Sequence, residues 1–235
     1  MYYTRGLYGF GFDPMYILVI IMGILCMVAS YRVSSVYKKY ERIRSRSNMT
    51  GAQVAMEILR RNGITDVAVA HVSGNLTDHY DPRRKVVNLS DATYNSPSVA
   101  AVGVAAHECG HVCQHYYGYV PLKIRTAIVP AANIGSKAGI PIIILGMFLS
   151  LSPLITIGIW VFSLAVLFQL VTLPVEFDAS RRALVMLEEY GFLDDEELHH
   201  SKKVLSAAAM TYVASAAAAV VQLLRLVLLN GRRRD

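Results

Sequence analysis

The residues best placed to do chemistry in this chain are His107-Glu108-Cys109-Gly110-His111. Two histidines four apart on a helix stand one turn from each other on the same face. Both imidazoles can therefore reach one metal ion. Glu108 sits beside the first of them, where a carboxylate can take a proton from an activated water. This is the H-E-x-x-H pattern of zinc hydrolases. Catalytic zinc takes three protein ligands and keeps one position open, so a third ligand must come from elsewhere. A pattern extended by a histidine six residues further on meets Tyr117 instead. His115 lies one more turn along the same helix, and three ligands in a row on a straight helix wrap a tetrahedral ion poorly. It reads as a polar supporting residue. Cys109 is rotated about 200° from His107, so it points away from the metal, and with Cys113 it reads as a small buried hydrophobe. Glu176, in Pro174-Val175-Glu176-Phe177-Asp178-Ala179-Ser180, is the better candidate. Two readings of it stand side by side: a third ligand, or a solvated acid in the first turn of a helix, where the dipole favours it.

The elements that must position these residues follow from pattern and punctuation. Residues 14–31 form an uncharged stretch of spanning length with Tyr16 and Tyr31 at its ends, which predicts a retained membrane helix. A cleaved signal would carry its basic residues before the apolar core. Here Arg32, Lys38, Lys39, Arg42, Arg44 and Arg46 follow it, against a lone Arg5 in front. That bias predicts an outside N-terminus and a cytoplasmic position from residue 32 onward. Thr50 caps a helix to about Asn62 with Val54, Ile58 and Leu59 as its apolar stripe, and Gly63 ends it. Strands are expected at 66–72 and 85–89, with turns at Ser73-Gly74-Asn75 and Asp81-Pro82-Arg83-Arg84. Ser96 is the expected cap, and Pro97 the first residue, of the helix that carries the metal motif.

The apolar region 127–173 is too long for one span. Ser150-Leu151-Ser152-Pro153 divides it into helices 128–149 and 153–173, a hairpin ended by Pro174. A hairpin returns the chain to the side it left, which brings Glu176 to the compartment of His107 and favours the ligand reading. A polar helix, an acidic turn at 194–197 and an apolar stretch at 204–229 complete the chain. Whether that last stretch crosses the membrane stays open, since crossing would place Arg232-Arg233-Arg234 outside, against the charge rule. The organisation expected is an N-terminal transmembrane helix (1–31), a catalytic portion (32–126), a transmembrane hairpin (127–173), a third-ligand region (174–203) and a C-terminal apolar helix with a basic tail (204–235).

Composition agrees with a membrane protein. Hydrophobic residues make up 54% and charged residues 17% of the chain, and the mean hydropathy is +0.39, which sits on the membrane side of the soluble norm. The net charge of +6 comes from basic residues beside apolar stretches and lacks interleaved aromatics, so nucleic-acid binding is rejected. Three cysteines supply no disulfide framework.

Three stretches carry a resemblance over nearly the whole chain: Thr77-Asp78-His79-Tyr80-Asp81-Pro82, Val102-Gly103-Val104-Ala105-Ala106-His107-Glu108-Cys109-Gly110-His111, and Pro174-Val175-Glu176-Phe177-Asp178-Ala179-Ser180-Arg181-Arg182-Ala183. In these the chain resembles the membrane-bound neutral zinc metallopeptidases of the YugP type, which are similar in layout to the HtpX-like and CAAX prenyl protease group of gluzincins. The resemblance implies Zn2+ held by His107, His111 and Glu176, Glu108 as general base, and a bacterial inner-membrane location. It names no substrate. The wider group carries an aspartate, supporting a ligand histidine, where this chain has Ser180. Asp178 is the nearby acid that could take over that role.

The fold class expected is therefore a mainly α membrane protein, with three or four transmembrane helices and a small α+β zincin-like catalytic portion. The function expected is hydrolysis of peptide bonds in membrane or membrane-proximal proteins, with the bilayer and peptide substrates as partners and the oligomeric state undetermined. Tyr212 is a candidate oxyanion donor against the plainer reading of a packed aromatic. His79 is a candidate participant against that of a turn histidine. Zinc peptidases commonly hold an extended substrate on a sheet edge, and 85–89 is the strand nominated. Two alternatives are carried: a non-catalytic membrane scaffold or quality-control partner, for which a broken motif would speak, and a zinc hydrolase of a non-peptide substrate with the same site.

Overall fold

The computed structural model describes residues 14–231. Arg5 and the Arg232-Arg233-Arg234 cluster, both used in the charge argument, lie outside the described residues. The elements in chain order are α1 (Pro14–Tyr40), α2 (Gly51–Arg61), β1 (Ala68–Val72), β2 (His79–Asp81), β3 (Val86–Ser90), α3 (Asp91–Tyr94), α4 (Val99–Tyr116), α5 (Val120–Phe148), α6 (Ser152–Glu189) and α7 (Asp195–Gly231). The protein is mainly α with a small α+β portion. Among the described residues, four helices (α1, α5, α6 and α7) are long and apolar enough to cross a membrane. The chain divides into two compact units. One combines Ala29–Ala127 with Leu170–Val213, and the other the described parts of Met1–Val28, Ile128–Gln169 and Ala214–Asp235.

The first unit holds the motif. Thr50 Oγ1 accepts from Gln53 N at 3.3 Å while Gln53 Oε1 accepts from Thr50 N at 2.9 Å, a capping box that starts α2. Asn62 follows the last turn, and Gly63 at φ 69° supplies the left-handed residue that ends the helix. Val54, Ile58 and Leu59 pack with Val87 and Leu89 of β3 and with Val102, Ala105, Ala106, Cys109 and Val112 of α4 into the main core. β3 lies in the centre of a three-stranded sheet ordered β1-β3-β2, parallel to β1 and antiparallel to β2.

Three expectations are corrected here. The nominated strand 85–89 is not an edge: Asp81 Oδ1 accepts from Arg83 N and Arg84 N at 2.9 and 3.2 Å, closing the turn that folds β2 back onto β3. The metal helix is capped by Ser98, whose Oγ accepts from Ala101 N at 3.2 Å, rather than by Ser96. The Pro97 carbonyl is taken by Ser45 N at 2.9 Å and Ser98 bridges to Arg44, so residues 96–98 are held extended and the helix begins later. Pro174 does not end the membrane helix but lies inside α6. An interior proline costs about 3 kcal/mol. Yet Val175, Ala179, Ala183 and Leu187 form a fully buried stripe at helical spacing, and a buried Val or Leu contributes about 1.5–3 kcal/mol each. The stripe outweighs the proline, and Glu176 lands in the middle of a helix, not in the first turn of one.

In the second unit, α5 packs on α6 through small residues. A side chain at Gly139 would meet Phe162 atoms at 2.8–3.0 Å, and one at Gly146 the Ile155 nitrogen at 2.8 Å. Such contacts let backbones approach where lipid gives no hydrophobic drive. Asn230 Nδ2 donates to Thr156 Oγ1 at 3.1 Å, so within this unit the end of α7 lies beside the start of α6.

One glycine decides how α4 meets α6. A Cβ at Gly110 would sit 2.5 Å from the Ala179 carbonyl oxygen, and a backbone atom cannot swing aside. Gly110→Ala is expected to lower the thermal midpoint in detergent by an amount corresponding to about 1–3 kcal/mol. Gly23→Ala, which meets nothing within 4 Å, should leave that midpoint unchanged.

Candidate metal centre

His107 and His111 project from one face of α4, their ring centroids 4.8 Å apart and nearly perpendicular. α6 lies against this face, close enough at Gly110 to bring Glu176 within reach of both rings. Glu176 Oε2 is 3.4 Å from His107 Nε2 and 3.6 Å from His111 Nε2. Among the described residues these three form the cluster of metal-ligating side chains, with all donor atoms within 4.8 Å of one another.

The spacing fits an ion. Hydrogen-bonded nitrogen and carboxylate oxygen atoms close to about 2.7–2.9 Å, shorter than either contact. Ligands at about 2.0–2.1 Å around a tetrahedral zinc stand about 3.3–3.4 Å apart, which is near the two separations of Glu176 Oε2 from the histidine nitrogens. Two imidazole nitrogens and one carboxylate oxygen are a zinc-type donor set with a position left open.

The surroundings of each donor are specific. Ser180 Oγ lies 3.1 Å from His107 Nδ1. Gln114 Oε1 lies 3.0 Å from His111 Nδ1, while Gln114 Nε2 donates to the Val175 carbonyl at 2.8 Å and to Asp178 Oδ2 at 3.0 Å. Arg125 Nη1 stands 3.5 Å from Glu176 Oε1. Glu176 itself is only 3% exposed, which removes the reading as a solvated acid.

A cavity of about 390 Å3 opens at the centre, lined by His107, Glu108, Glu176, Ser180 and Tyr212 together with Leu76, Asp78, Val104, Leu205, Ala208, Ala209, Thr211 and, from α1, Ser30, Val33 and Ser34. Glu108 is buried at its wall. Tyr212 faces the same space, in electrostatic contact with Glu176.

The remaining expected residues are placed differently. Asp178 meets Arg181 and Arg182 at 2.5 and 2.6 Å and Gln114, and the hydroxyl on His107 comes from Ser180. The side chain at the position of the missing aspartate is therefore itself the partner of a histidine. His79 is held by the Thr77 carbonyl at 2.8 Å and by Asn88 at 3.2 Å and is not among the cavity walls. Its neighbour Asp78 is, with its carboxylate taken by Ser90 N and Oγ at 2.7 and 2.9 Å. His115 faces Tyr80. Gln114 and Arg125 were missed by sequence reasoning. Gln114 sits at i+3 from His111, the spacing of neighbours on a helix face, and that was the signal available. Arg125 gives no such signal, because a basic residue ahead of an apolar stretch is the ordinary flank of a membrane span.

Compared with known proteins, residues 15–231 match the family described as "Putative neutral zinc metallopeptidase". The chain is 44% identical over 206 residues to the "Putative membrane protease YugP" of Bacillus subtilis (strain 168), covering 87% of this chain and 92% of that protein. No solved structure matches the chain.

The two cysteines of α4 face the core, where Cys109 Sγ contacts the Ala55 carbonyl at 3.6 Å. Burial pushes the Cys109 thiol well up and the Cys113 thiol to about 11. A raised thiol stays protonated at neutral pH and is a poor nucleophile and metal ligand. At pH 8 a maleimide reagent is expected to spare both in the folded protein and to label both after unfolding, as read by mass spectrometry.

Proposed function

This chain belongs to the neutral zinc metallopeptidase family, and from that premise we propose that it is a membrane-embedded, gluzincin-type zinc endopeptidase that cleaves membrane or membrane-proximal proteins. The observation that carries the reading is the convergence of His107, His111 and Glu176, their donor atoms within 4.8 Å of one another, where His107, Glu176 and Glu108 line one cavity. These three residues would hold zinc, which when bound supplies a Lewis acid that polarises a carbonyl and acidifies water. Glu108, at the wall of the cavity, takes the proton from the attacking water and returns it to the departing amine. Tyr212, lining the same cavity, supplies a hydroxyl for the oxyanion. Arg125 stands beside the buried Glu176 carboxylate and favours its charged form, while the two histidine Nε2 atoms lie 3.4 and 3.6 Å from its other oxygen.

In this reading the catalytic portion combines residues 32–126 with the third-ligand region 174–203, and the apolar helices anchor it in a bacterial inner membrane. The basic run Arg32 to Arg46 supports a site at the cytoplasmic face. Among the described residues β2 pairs on one side only, with β3, and Leu76 and Asp78 lead from the cavity into it. Its open side is the better edge for an extended substrate.

The test of the chemistry is cleavage of a panel of membrane substrates by detergent-purified protein. Glu108→Gln is expected to lose at least about 10²-fold in rate while retaining one zinc. Chelation should abolish cleavage and added zinc restore it. Equal cleavage by wild type and Glu108→Gln would overturn the proposal. Orientation is tested separately by a cysteine introduced at the exposed Asn95, which should resist an impermeant thiol reagent in intact cells and react in inverted vesicles. Labelling from outside alone would refute the cytoplasmic site.

A further inference from the structure

We infer that Gln114 is the positioning residue of this metal centre, locking the His111 tautomer and pinning the backbone beside Glu176 through one buried amide. The inference rests on the zinc reading above. Gln114 is fully buried and uses both ends of its side chain. A carboxylate and a carbonyl are acceptors only, so the bonds to Asp178 Oδ2 and the Val175 carbonyl, at 3.0 and 2.8 Å, require the amide nitrogen on that side. The amide oxygen then faces His111 Nδ1 at 3.0 Å. An oxygen with no hydrogen can only accept, so His111 must carry its proton on Nδ1. That leaves the Nε2 lone pair free on the side of Glu176 Oε2, where a metal needs it.

His107 is held less strictly. Its partner is the Ser180 hydroxyl, which rotates and can donate or accept, so it does not by itself choose a tautomer. The strict choice is made at His111, by Gln114. Asp178 contributes at one remove: Arg181 and Arg182 fix its carboxylate, the carboxylate fixes the amide, and the amide fixes His111. The same amide nitrogen holds the carbonyl immediately before Glu176, so two of the three candidate ligands are set by one side chain. Leucine at this position makes neither bond. Glutamate keeps an acceptor for His111 but donates nothing to Val175 and repels Asp178.

The full-length protein in detergent, stripped of metal, is titrated with zinc against a chromophoric chelator. Gln114→Leu should bind zinc about 10–100-fold more weakly and, at saturating cobalt(II), show altered d–d bands. Asp178→Asn should weaken zinc binding in the wild-type background and add less than about twofold in the Gln114→Leu background, because partners acting through one residue are not additive. Should Gln114→Leu fail to fold, Gln114→Met, which likewise supplies no amide, is read in its place with the same expected loss. Wild-type affinity or an unchanged cobalt spectrum in the folded variant overturns the inference, as does full additivity with Asp178→Asn. A wild type that takes up no zinc overturns the zinc reading itself and this inference with it.

Discussion

The centre depends on how closely α4 can lie on α6. With Gly110 against the Ala179 carbonyl, the two backbones approach to a distance that any side chain would forbid. That approach brings a carboxylate of one helix to 3.4 and 3.6 Å from two imidazoles of the other. Glu176 is almost wholly buried there, and a buried carboxylate without partners costs several kcal/mol. Arg125, 3.5 Å from Glu176 Oε1, is the cation this chain sets against that cost. Packing and charge are thus coupled: the helices close because the carboxylate has partners, and the partners are in reach because the helices close.

All three donors sit on helices, not on loops, which fixes them more tightly than a mobile segment could. For Glu176 this required a helix to run through Pro174. The buried stripe Val175, Ala179, Ala183 and Leu187 holds it together. Gln114 then stitches α4 to α6 beside the proline, using the carbonyl of Val175. The polar surroundings of the site are therefore also its mechanical support.

Much of this is legible in the order of residues alone. The α2 cap at Thr50, its stripe and its stop at Gly63 are local effects, and local rules predict them. The histidine pair and Glu108 follow from one helical turn. What escapes are features set by distant partners. Ser96 is as good a cap as Ser98 by residue type, and the difference comes from Ser45, which claims the Pro97 carbonyl. The strand at 85–89 reads as an edge because β2 is only three residues long and runs into a proline turn, too short to leave a pattern. Pro174 reads as a helix end because the burial that overrides it is contributed by other elements.

The one-dimensional sequence by itself determined which chemistry was on offer: two imidazoles and a carboxylate within one turn, a further carboxylate beyond an apolar hairpin, and a membrane-embedded setting. These rest on spacing and composition, which are properties of neighbours along the chain. Only the tertiary structure decided which groups hold the histidines. Ser180 lies against His107 across 73 residues, and Gln114 spans 64 residues to reach Asp178. Whether the Ser180 hydroxyl reaches His107, and whether Val175 and Asp178 turn the Gln114 amide oxygen toward His111, depends on ångström-scale contact between two helices, and no periodicity along the chain encodes that distance.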